Sequence, residues 1–188
     1  MKYLKYSLGI IAILTIIFLL IGFIKPEISY DCEIMVDKPL AESWNVTQDE
    51  EKMPEWLEGF QKVEQVSGTP GTVGAVSNVY FVSDGQEMTI KETIKNIKPD
   101  ESIEMLFESD FMNMDYELKM ASINGKTKIS SSTNAKGNGI FSKSIMALMG
   151  NFLKTEEETN LSNLKKTIEA NTKNYSAAEE ASTEPTED

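Results

Sequence analysis

Few side chains in this sequence can do chemistry. There is no histidine and no arginine, so all 18 basic residues are lysine. A histidine base, a histidine metal ligand and a Ser-His-Asp or Cys-His arrangement are thereby excluded. A guanidinium fork for phosphate or carboxylate is excluded as well. Carboxylates, phenols and one thiol are left. Among the carboxylates, Glu92 stands out because alternation along 87–97 puts it on the same strand face as Met88, Ile90 and Ile94. A carboxyl on an apolar face is costly unless it is paired or protonated. It then marks a strand irregularity or a pairing, the polar tip of a ligand cavity, or a general acid or base. Tyr80 and Tyr116 are the phenols that could join it. Cys32, the one cysteine, can form neither an internal disulfide nor a CxxC site and reads as a small buried hydrophobe.

An acidic run, WNVTQDEEKMPEW, residues 44–56, is bracketed by the only two tryptophans. It lacks the D-x-[DN]-x-[DN]-G spacing of a calcium loop. Thr47 to Glu50 instead has capping-box spacing, so the acids fit the start of a short helix and the tryptophans its apolar fixings. Neither GxGxxG nor GxxxxGK[ST] occurs. No catalytic set, metal set or cofactor is expected from these residues.

The elements that must position Glu92 follow from periodicity. A first strand is read over 28–36. A short helix opens at Pro39 and runs through Trp44, and a second ends near Trp56 to Gly59. Strands are then read over 60–67, 73–83, 87–97, 102–109, 112–123 and 126–134. Short turns join them, including Asp84-Gly85 and Asn124-Gly125, so the sheet should be an antiparallel meander. In 112–123 the alternation is clean, with Met112, Met114, Tyr116, Leu118 and Met120 on one face. In 102–109, Ile103, Met105 and Phe107 share a face. After Gly139 the period changes: Phe141, Ile145, Leu148, Met149, Phe152, Leu161, Leu164 and Ile168 predict one long helix over 140–171 packed on the sheet.

Three features lie outside that pattern. Residues 6–24, YSLGIIAILTIIFLLIGFI, carry no charge and nearly match the roughly 30 Å hydrocarbon core of a bilayer. They read as an uncleaved anchor, because the run is longer than a signal peptide's apolar region and no small-residue cleavage site follows. Lys2 and Lys5 before it, against Lys25 after it, orient the N-terminus to the cytoplasm and the domain outside it. The C-terminus, 174–188, carries five acids and no lysine and reads as a solvated acidic tail. With a formal net charge of -12, nucleic acid is not an expected partner. The organisation is thus an anchor over 1–25, one domain over 26–173 and the tail.

Strand, two short helices, antiparallel meander and long C-terminal helix is a distinctive order. It resembles the START-like, or helix-grip, superfamily, and within it bacterial polyketide cyclase/dehydrase-like proteins with an N-terminal anchor. MVDKPLAESW (35–44), MPEWLEGFQKVEQVSGTPGTVGAV (53–76), IKETIKNIKPDESIEM (90–105) and LSNLKKTIEA (161–170) carry the likeness, which covers about 28–171. The resemblance implies an α+β fold, a curved antiparallel sheet around the long helix with a cavity between them. It implies apolar ligands, carriers, cyclases or dehydratases, and no particular catalytic residue. Candidate cavity residues are Tyr80, Met88, Ile90, Glu92, Met105, Phe107, Met114, Tyr116, Phe141, Ile145 and Met149. The expected function is a membrane-anchored domain that binds a lipid or other apolar small molecule. The alternatives are a protein-interaction domain whose cavity is filled, with abundant methionine as filler, and a cyclase or dehydratase using a cavity carboxylate.

Overall fold

The computed structural model of the 188-residue chain describes residues 2–83 and 85–175. Most of the predicted acidic tail, from residue 176 on, lies outside the described residues. Helix α1 (Lys2–Ile24) is followed by β1 (Glu27–Val36), α2 (Leu40–Gln48), a 3-10 turn (Glu50–Lys52) and α3 (Met53–Trp56). Strands β2 (Phe60–Ser67), β3 (Val76–Ser83), β4 (Gln86–Lys98), β5 (Ser102–Glu108), β6 (Met112–Ile123) and β7 (Lys126–Gly137) come next, and α4 (Ile140–Glu169) closes the chain.

The seven strands form one antiparallel sheet in the order β1-β7-β6-β5-β4-β3-β2. Consecutive strands β2 to β7 are neighbours because their connections are short; β1 joins the far edge, and α2 and α3 bridge the two edges. Helix α4 lies on the face that carries Ile28, Cys32 and Val36 of β1 and Ile129 and Ala135 of β7. The register extends this inner face across the sheet. Tyr116 sits opposite Thr133, Met105 opposite Tyr116, Glu92 opposite Phe107, and Ser77 opposite Glu92. Leu161, Leu164 and Ile168 of α4 complete the core at one end with Trp44, Val46, Ile103 and Leu118. At the other end Met146 packs with Ile28 and Ala135. Small residues on β7 let the helix approach closely: a Cβ on Gly137 would stand 2.4 Å from the Lys143 amide nitrogen.

Local readings of the sequence needed three corrections. Thr47 does not cap the second short helix. It lies inside α2, where its hydroxyl donates to the Ser43 carbonyl, and Asp49 instead accepts the Glu51 amide to cap the 3-10 turn. Strand β3 begins at Val76, because 68–75 is taken up by a glycine-rich loop with Gly68, Gly71 and Gly74 at positive φ. Strand β7 continues to Gly137, paired to both neighbours along its length. Trp44 is buried in the core and Trp56 packs against it, as the bracketing tryptophans predicted.

Helix α1 is long and apolar enough to cross a membrane, by a test that a signal sequence also passes. Its residues 3–17 are exposed, and only Phe18, Leu19, Ile21 and Gly22 are covered. They meet the start of α4: the Phe18 and Phe141 rings lie edge to face, 5.6 Å apart. Gly22 is packed so closely that a Cβ would fall 2.4 Å from Ser144 Oγ and 2.9 Å from the Ile140 carbonyl. Only Lys25 and Pro26 separate α1 from β1.

Candidate functional site: a groove on the inner sheet face

Helix α4 lies closest to β1 and β7 and reaches β5 and β6 through Leu161, Leu164 and Ile168 at one end; the half-buried inner face of β3 to β6 beyond them is the candidate wall of a groove. The clean alternation of β6 turns Met112, Met114 and Tyr116 into it, β5 contributes Met105 and Phe107, and β4 contributes Met88, Ile90 and Glu92. These side chains are half-buried, and Met88 at the rim is 46% exposed, so solvent reaches an apolar surface. On the helix side Met146 and Leu153 belong to one packed cluster with Met112 and Met114, and Ile145 and Met149 are half-buried on the same helix.

Glu92 is on this face, in the middle of β4. Burial pushes its carboxyl up from the ordinary 4.5, and no hydrogen bond or charge from a described residue offsets that effect. The strand is not interrupted there; the irregularity in β4 comes later, between Ile94 and Asn96. Among the described residues Glu92 is therefore a polar group without a partner on a half-buried apolar face. That state favours its neutral form, which can both donate and accept a hydrogen bond.

Tyr116 stands deeper, between sheet and helix. Its hydroxyl donates to Glu157 Oε1 at 3.0 Å, and its ring packs edge to face on Phe107 at 6.1 Å. Burial, with the Glu157 carboxylate second, pushes its phenol well above the usual 10. Tyr30 on β1 is pushed up to about 12, mainly by burial. Burial thus disfavours ionisation of both phenols, and Tyr116 serves as a donor. Burial likewise raises the thiol of Cys32, which lies 3.9 Å from the Lys154 carbonyl, in keeping with a buried hydrophobe.

Two of the sequence-predicted residues fall elsewhere. Tyr80 is opposite Thr89 on the outer face, where its hydroxyl donates to Glu64 at 2.7 Å and Lys62 sits 4.7 Å above its ring. Ser77, Val79 and Phe81 are the β3 residues that face inward. Phe141 is 61% exposed and meets Phe18 rather than the sheet. Of the other nine, Met88, Ile90, Glu92, Met105, Phe107, Met114 and Tyr116 lie on the inner sheet face by register, and Ile145 and Met149 are half-buried on α4. Glu157 was missed because it lies in the TEEET run, which reads as solvated, and Tyr30 because a strand tyrosine carries no signal of its own. Two open hollows of about 460 and 440 Å³ lie on the outer face, lined mainly by charged and polar side chains, with Cys32 bordering the first and Met105 and Tyr116 the second. Among the described residues no group of three or more Cys, Asp or Glu could hold a metal.

Known proteins share this fold. The family described as polyketide cyclase / dehydrase and lipid transport matches residues 27–169. No curated protein sequence matches the chain. Among solved structures, the protein TTHA0849 from Thermus thermophilus superposes with a TM-score of 0.63 at 16% identity, covering 79% of this chain and 100% of that one. Ara h 8.0201 gives 0.62 at 17%, covering 77% and 99%. The di-domain ARO/CYC BexL from the BE-7585A biosynthetic pathway gives 0.61 at 17%, covering 78% of this chain and 52% of its own length. At these identities the likeness is one of fold.

Proposed function

The chain belongs to the polyketide cyclase / dehydrase and lipid transport family, and on that premise we propose that it is a membrane-tethered binding domain whose groove takes a lipid or another apolar small molecule. One observation carries this reading. The inner face of β4 to β6 is apolar, reachable by solvent, and interrupted by a single unpartnered carboxyl, Glu92. Pockets for small molecules have this make-up, mostly apolar with a few placed polar groups. Methionines at 88, 105, 112 and 114 suit a wall that adapts to a flexible chain. Glu92 would meet the ligand's polar end, and α1 would hold the domain at its lipid source, with the domain outside the cytoplasm.

Native mass spectrometry of the full chain, released from detergent micelles, tests this. An adduct of lipid mass is expected. The double substitution Ile90→Trp with Met105→Trp, which fills the groove, should remove it. A chain that flies bare, or an adduct that survives the filling, would sink the proposal.

The raised carboxyl favours a second reading, acid catalysis of a cyclase or dehydratase reaction. Glu92→Gln separates the two: it should abolish turnover in that case and only weaken binding in the first.

A further inference from the structure

We propose that the first half of α4 is itself a membrane contact, immersed in the leaflet from which the domain emerges; this rests on the reading of α1 as a spanning anchor. The contact between α1 and α4 sets the depth. Phe18 lies six residues, or about 9 Å at 1.5 Å per residue, inside the apolar end of α1 at Ile24. Its ring meets Phe141 of α4. With α1 across the bilayer, Phe141 is carried to that same level. The closest packing, Gly22 against Ser144 and Ile140, fixes α4 beside α1 rather than above it.

The chemistry of α4 matches that depth. Phe141, Ile145, Leu148 and Phe152 follow helical spacing along one face. Phe141, Leu148 and Phe152 are 61%, 63% and 56% exposed, large apolar side chains that water would surround. Between 140 and 153 the only charge is Lys143, which lies within electrostatic reach of Glu27 at the start of β1. Lys136 pairs with Glu27 at 2.7 Å, and Lys25 is two residues away. A shallow lysine cluster above an apolar helical face is the pattern of a helix seated about 5–10 Å into the headgroup boundary.

The test places an environment-sensitive NBD label at Leu148→Cys in the full chain, in phosphatidylcholine/phosphatidylglycerol vesicles containing doxyl-labelled lipid. Cys32 is buried, and the wild-type chain sets its background. Labels at Lys166→Cys and Ile13→Cys serve as the water and deep-lipid references. Shallow-doxyl quenching at 148 should exceed that at 166 by at least about threefold, as an interfacial helix requires. An Ile13 label strongly quenched by deep doxyl, with Leu148 quenched no more than 166, overturns this inference and leaves the anchor standing. An unquenched Ile13 label overturns the anchor and the inference together. A blue-shifted but unquenched Leu148 label shows that protein, such as a second copy, covers the face, and also overturns it.

Discussion

Replacing Gly137 by alanine should move α4 and weaken the domain. Gly137 is not at positive φ, so its backbone accepts alanine and the cost is purely steric. The new Cβ would stand 2.4 Å from the Lys143 nitrogen, 2.6 Å from the Ser142 carbonyl carbon and 2.9 Å from the Lys143 Cα. Carbon contacts settle at about 3.5–4.0 Å, so the start of α4 must withdraw by about 1 Å. All three atoms are backbone, and no side chain can swing aside. Overpacking costs about 1–3 kcal/mol, and this case belongs at the upper end, about 3. With a slope of about 2 kcal/mol per molar urea, the unfolding midpoint falls by about 1.5 M. Both tryptophans lie in the domain and none in α1, so tryptophan fluorescence of the full chain in micelles reports this transition alone. A midpoint shift under about 0.3 M at unchanged slope would refute the claim that helix and sheet touch here without slack.

Gly150→Ala should do the opposite: its Cβ meets Ile28 at an ordinary 3.6 Å, so the helix gains about 0.5–1 kcal/mol, read in the same titration. Glu92→Gln should stabilise the unliganded domain at neutral pH. A carboxyl with a raised folded pKa carries no penalty below the ordinary 4.5 and the full penalty above its folded value, so melting curves of the two proteins should converge as the pH drops below 4.5. Curves that stay parallel down to acid pH would contradict a desolvated carboxyl. Asp49→Asn should show the reverse. Burial opposes its ionisation, but hydrogen bonds from Lys173 and Tyr175 prevail and hold Asp49 below 3.8. Its contribution is therefore present at neutral pH and fades below 3.8, where thermal melts of wild type and variant should meet. Tyr116→Phe removes the 3.0 Å bond to Glu157 and should cost about 1.5–3 kcal/mol by urea titration; a loss near zero would mean that Glu157 finds water instead.

The meander and the long helix were legible because their signals are local. Alternation in 112–123, Asn124-Gly125 and the change of period after Gly139 each act within a few residues. Faces were legible only where alternation is clean. In VSNVYFVS, residues 76–83, Val79, Tyr80, Phe81 and Val82 are consecutive and apolar, so the stretch does not say which pair points inward; pairing with β4 decides, and Tyr80 goes out. Glu92 was found because its neighbours alternate strictly. Glu157 and the buried Ser142 and Ser144 could not be found that way. Glu157 meets Tyr116 of β6 and Ser144 meets Gly22 of α1, segments distant in sequence, while Ser142 is held by the turn at Gly139; no periodicity within α4 encodes these partners.

The two-residue connection between α1 and β1 limits how such a domain could move cargo. Pro26 fixes its own φ and restricts Lys25 before it. With α1 in the bilayer, the domain cannot diffuse away or reach across an aqueous gap to another membrane, as a ferry must. Exchange would be confined to two dimensions, between the groove and lipids or proteins of the same leaflet. Its rate would then follow lateral encounter and surface density rather than bulk concentration, and cutting the chain after Pro26 should turn a first-order local exchange into a second-order one.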